Sequence, residues 1–112
     1  MMATDKTGAE TTVTQEDEQF TISVAGRPVG FLEYADRDGQ RVFIHTEVAP
    51  EFEGRGLATI LVGEALEATK NAGLRIVAVC EVVGGYIDKH AEFAGIVDPP
   101  TPDIKNWLTS AS

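Results

Sequence analysis

The segment Leu74-Arg75-Ile76-Val77-Ala78-Val79-Cys80 is apolar on both faces. A strand of that composition is stable only when it is buried from two sides, which places it centrally in a sheet. A helix precedes it directly. Leu57, Ile60, Leu61, Ala65, Ala68 and Ala72 recur at helical spacing, while Glu64, Glu67 and Lys70 lie largely off that stripe. Asn71-Ala72-Gly73 then supplies a stop signal.

Upstream, three short strands are predicted. Phe20 to Val24 alternates with period two and is followed by the turn residues Ala25-Gly26-Arg27-Pro28. Val29 to Ala35 is extended again and ends at Asp36-Arg37-Asp38-Gly39. Arg41 to Val48 is the third strand. Strict alternation gives it an apolar face of Val42, Ile44, Thr46 and Val48, and a mixed face of Arg41, Phe43, His45 and Glu47. The pattern predicts an α+β fold in the order β-β-β-α-β-α, with a mainly antiparallel sheet and one main helix. Gly84-Gly85 should break the chain after Cys80, leaving Tyr86 to His90 as one or two helical turns. After the stiff Asp98-Pro-Pro-Thr-Pro stretch, a short terminal helix should dock Ile104, Trp107 and Leu108.

The chain has 112 residues and a formal charge of −9. That length sets one domain as the expectation, and the acidity argues against a nucleic-acid or anionic-membrane surface. Residues 1–19 carry the acids Asp5, Glu10, Glu16, Asp17 and Glu18 against the single base Lys6, with few large apolar side chains. Such a segment is expected to be a disordered acidic tail, with residues 20–112 forming the single domain. It has none of the apolar character of a signal peptide, and no apolar run reaches the roughly 18 residues of a membrane span. The one cysteine, Cys80, excludes an internal disulfide and a cysteine-based zinc cage, and a cytoplasmic location is the expectation. No spacing supports a metal site built from His45, Cys80 and His90.

The third strand, the loop behind it and the helix carry the functional signal. Gly54-Arg55-Gly56 stands just before the helix, where the first N–H groups have no intrahelical partner and the dipole adds positive charge. Glycines there let an anion approach the backbone, and phosphate is the natural ligand. Neither a P-loop nor a dinucleotide fingerprint is present.

The string from Val48 to Leu61, with Val-Ala-Pro, then Glu53-Gly54-Arg55-Gly56, then a helix opening on Leu57, resembles the acyl-CoA-binding motif of GNAT N-acetyltransferases. His45-Thr46 on the strand before it, Cys80 after the next strand and Tyr86 to His90 extend the likeness to minimal, YjdJ-like single-domain members of that superfamily. The resemblance spans about residues 20–95. It implies acetyl-CoA as co-substrate, its pyrophosphate on the backbone of Glu53, Gly54, Arg55, Gly56, Leu57 and Ala58, and its pantetheine arm beside Val48. It also implies an amine acceptor that the sequence does not name. Glu51 stands where the wider motif has Gln or Arg, which removes one expected phosphate contact.

Amide formation from a thioester needs a neutral amine and an acid for the leaving thiolate. His45, on the mixed face of its strand, is the candidate base. Cys80, where the thioester would arrive, is the candidate acid or nucleophile; its alternative role is that of a small core residue. Tyr86 is a candidate contact to the CoA thiol and Lys89 to a phosphate. The expected activity is therefore transfer of an acetyl group from acetyl-CoA to an amine. The alternative is a CoA-binding or protein-interaction module that performs no transfer.

Overall fold

The computed structural model describes residues 2–4 and 10–111. Seven strands form one sheet in chain order: β1 (Met2–Thr4), β2 (Glu10–Gln15), β3 (Gln19–Val24), β4 (Arg27–Arg37), β5 (Gln40–Val48), β6 (Arg75–Ala78) and β7 (Val97–Asp98). The first four pairings are antiparallel, whereas β5–β6 and β6–β7 are parallel. The long connection between β5 and β6 is the helix α1 (Leu57–Asn71), as a parallel crossover requires. Helix α2 (Glu81–Lys89) follows β6, and α3 (Pro102–Ala111) ends the described chain. No helix among the described residues is long and apolar enough to cross a membrane.

The two faces of the sheet carry separate apolar clusters. On one face Phe20, Ile22, Leu32, Tyr34, Phe43 and Ile76 pack against Leu57, Leu61 and Ala65 of α1 and Val83 of α2. On the other, Val42 and Val77 meet Ile104, with Trp107 and Leu108 beside them. Burial of β6 from two sides, and docking of the terminal helix through those three side chains, match the expectation from the sequence.

Two expectations are corrected. Residues 10–15 are a paired strand and not part of a disordered tail: Thr11 is fully buried opposite Val24, and Val13 packs on the main core opposite Ile22. The threonines that look like solvated composition are β-branched residues suited to a strand, and the acidic Asp17-Glu18 pair makes the turn into β3. Within residues 1–19, positions 1 and 5–9 lie outside the described residues. Second, Gly84-Gly85 does not break the chain. Both glycines lie inside α2, which begins directly after Cys80.

The strand β5 also departs from strict alternation. Glu33 pairs with His45, but the next residue, Tyr34, pairs with Phe43, so Ile44 is an extra residue. A bulge of this kind shifts the side-chain phase by one. Up to Phe43 the odd positions face α1; beyond Ile44 the even ones do, so Thr46 and Val48 take that face.

The short strand β7 is tied in electrostatically. Arg75 donates from Nε and Nη2 to the two Asp98 oxygens at 2.8 Å each, and Gln40 Nε2 donates to Oδ2 at 2.9 Å. Hydrogen bonds from Arg75, and then from Gln40, hold the Asp98 carboxyl below the usual carboxylate range. A depressed folded value stabilises the fold above the unfolded pKa, and the gain is lost as pH falls through the folded one. Asp98→Asn should therefore melt at a lower temperature than the native chain at neutral pH. The difference should close under acid, which melting curves across a pH series would read.

Candidate active site

The cleft is built around the start of α1. Pro50–Phe52 makes one 3₁₀ turn, and the Glu53 N–H donates to the Pro50 carbonyl at 3.2 Å. Gly54 and Gly56 then both take positive φ, 81° and 78°, a conformation that costs other residues about 1 kcal/mol or more. Gly56 occupies the N-cap position without a side-chain cap bond, and no acid stands in the first turn. The first intrahelical bond is donated by the Ile60 N–H to the Gly56 carbonyl. The N–H groups of Leu57, Ala58 and Thr59 thus precede the helical ladder and have no acceptor within it.

These groups border a cleft of about 410 Å³, lined by Val48, Glu53, Gly54, Gly56, Leu57 and Ala58, together with Thr46, Thr59 and Val82. Its floor is the place where the sheet opens. β5 and β6 pair only as far as Phe43 and Ala78, after which Val79 N–H and Cys80 N–H both donate to the Phe43 carbonyl at 3.0 Å. Beyond that point β5 continues to Val48 while the chain turns into α2, so the two diverge.

Of the residues singled out for cofactor binding, Val48, Glu53, Gly54, Gly56, Leu57 and Ala58 are gathered in this cleft. Tyr86 and Lys89 line an adjoining groove of about 280 Å³ that shares Ala58, Thr59 and Val82 with it. Arg55 lies over the Phe52 ring, 4.8 Å from Cζ to centroid, and not on the cleft wall. Glu51 is exposed and also off the wall.

The two reactive candidates fall differently. Cys80 is buried at the N-cap of α2, and its sulfur lies 3.2 Å from Thr46 Oγ1, so the cysteine reaches the cleft through Thr46. His45 does not face the cleft. The bulge at Ile44 turns it to the other side of the sheet, where it is exposed, 3.7 Å from Glu47 Oε1 and edge-on to Phe31 at 6.2 Å. A further hollow of about 550 Å³ joins the two sides around the end of β5: Thr46, Val48 and Glu53 belong to the cleft as well, while Phe31 and Glu47 stand on the His45 side. Thr46, Phe52, Thr59 and Val82 are wall residues that the sequence did not single out. Only the neighbourhood of Thr46 to His45 pointed near the first of them.

Tyr86 lies against α1, where a Cβ at Gly63 would come within 2.7 Å of its hydroxyl. Burial pushes its phenol above the ordinary value, with Glu92 and Glu67 adding to the effect. Its ring stacks on His90 at 3.8 Å with 7° between planes and also meets Phe93. With the ring held on those sides, Gly63→Ala should lower stability by about 1 kcal/mol despite the better helix propensity of alanine. Adding Tyr86→Phe, which removes the clashing oxygen, should recover most of that loss in denaturant titrations.

A largely antiparallel sheet that opens beside a glycine-capped crossover helix is a GNAT-like arrangement. Residues 19–96 match the sequence model of the GCN5-related N-acetyl-transferase family, and the chain belongs to that family. Its fold is similar to the solution NMR structure of a GCN5-like protein from Staphylococcus aureus, with a TM-score of 0.61 at 19% identity over 81% of this chain and 91% of that one. No curated protein sequence matches the chain.

Proposed function

We propose that this protein transfers an acetyl group from acetyl-CoA to a primary amine. The observation that carries the proposal is the start of α1: uncapped N–H groups and two positive-φ glycines open on a cleft that runs into the gap between β5 and α2. Pyrophosphate would bind the backbone of Glu53 to Ala58 by hydrogen bonding and the helix dipole. The pantetheine arm would follow β5 past Val48 to Thr46, bringing the thioester beside Cys80. A cytoplasmic setting, where acyl-CoA is at hand, accords with this reading.

The amine is assigned to the hollow around the end of β5, whose carboxylates Glu47 and Glu53 suit a cationic acceptor. His45, beside this hollow on the far side, would accept the amine's proton through water. As nitrogen bonds to the carbonyl carbon, the carbon–sulfur bond breaks and the Cys80 thiol gives its proton, through the Thr46 hydroxyl, to the CoA thiolate. Calorimetric titration with CoA, followed by thioester consumption with a panel of amines, tests both halves. No binding at millimolar CoA would end the proposal.

A second reading is a CoA-binding module without transfer. It is favoured by the placement of His45 on the other face and by the burial of Cys80, which leave neither reactive candidate exposed on the cleft wall. CoA binding with no thioester turnover against any amine would select it.

A further inference from the structure

One carboxylate of α1 takes no part in the chemistry proposed above. Glu64 stands two helical turns beyond Leu57, on the side turned to β2 and β3. Its side chain is half-buried, yet both carboxylate oxygens are shielded from solvent and neither accepts a hydrogen bond among the described residues. Burial pushes the carboxyl above its ordinary value, an effect that the positive charge of the amino terminus offsets in part. A shielded carboxylate without donors is costly, and the cost is relieved when a cation bearing N–H groups reaches it.

The space in front of Glu64 suits such a cation. A hollow of about 200 Å³ is bounded by Val13 and Gln15 of β2, Phe20 of β3, and Glu64 and Ala68 of α1. Val13, Phe20 and Ala68 give it apolar walls, and Ala68, one turn beyond Glu64, leaves it open because its side chain is a single methyl group. Gln15 stands at the exposed rim. Its Nε2 donates to the Tyr34 hydroxyl at 3.3 Å, which leaves Oε1 as the group that can face a ligand. Among the described residues no lysine, arginine or histidine lines the hollow. The nearby Arg41 guanidinium lies over the Phe20 ring, 5.8 Å from its centroid, and is tied to both oxygens of Asp36. The polar groups offered to a ligand are therefore acceptors, and one of them carries charge.

We infer that this hollow binds a primary alkylammonium, its N–H groups on the Glu64 carboxylate and Gln15 Oε1 and its alkyl chain along Val13, Phe20 and Ala68. The hollow shares no wall residue with the cleft, so an amine held here is not placed for acyl transfer. The inference stands apart from the acyl-CoA reading. It gives α1 two ligand sites of opposite sign, one for an anion at its start and one for a cation two turns in, and it makes the bound amine a tie between α1 and β2.

Melting curves of the full chain at neutral pH test it, with n-butylammonium chloride set against equal concentrations of sodium chloride and tetramethylammonium chloride. At about tenfold its dissociation constant, butylammonium should raise the melting temperature by about 6 °C in a saturable way. The two reference salts, which have no N–H to donate, should not. Glu64→Gln should melt no lower than the native chain without amine and should lose the response to butylammonium. Ala68→Leu, which keeps the carboxylate and fills the hollow, should lose it as well. An equal rise with either reference salt would overturn the inference, since it would report charge screening alone. So would an undiminished response in Glu64→Gln. A Glu64→Gln chain that melts several degrees below the native one without amine would overturn it too, by showing that the carboxylate already has its cation within the chain.

Discussion

Gly56→Asp is expected to leave the protein folded and to weaken CoA binding by about 100-fold, or roughly 2.7 kcal/mol. The fold should survive because aspartate is among the residues that tolerate a left-handed conformation, so the φ of 78° costs it about 1 kcal/mol or less. The ligand should not. The new carboxylate would stand at the N-cap of α1, where its oxygens compete with pyrophosphate for the N–H groups of Ala58 and Thr59 and repel it by charge. Circular dichroism and a melting curve read the first half, calorimetry the second. A variant that melts normally and still binds CoA as the native chain does would remove the helix start from the proposed site.

Cys80→Ala should separate binding from chemistry. The side chain is small and lies against Thr46, behind the cleft wall, so CoA affinity should stay within about twofold. Turnover of the thioester should fall by about 100-fold, the lower range for loss of a positioned acid. Thr46→Val sharpens the comparison. It removes the hydroxyl 3.2 Å from the sulfur while keeping the branched shape, and should lower turnover less than Cys80→Ala does. If Cys80→Ala turns over normally, the cysteine is only a core residue and the acid lies elsewhere.

Much of the fold was legible in the sequence because it is written in periodicity. β3 to β5, α1 and the two-faced β6 each carry a pattern set by burial, and the glycine loop carries its own conformational signature. What was not legible has physical reasons. Thr11 and Val13 enter the core through pairing with β3, a long-range gain that composition cannot display. Gly84 and Gly85 stay helical because helix propensity is a small local term and α2 is packed on α1 through Val83 and Tyr86. The face of His45 depended on the bulge at Ile44, which has no residue signature of its own. One extra residue therefore exchanged His45 for Thr46 on the cleft wall.

The parting of β5 from β6 has a consequence for ligand size. From Ile44 to Val48, β5 has no strand neighbour on the β6 side, so a sheet edge lies open in the middle of the molecule and not at its rim. At a rim such an edge invites another protein chain. Here α1 and α2 flank it, and on the acyl-CoA proposal the opening would work as a sieve. It would turn away folded partners and take in a slender, extended molecule whose own amides complete the unfinished ladder.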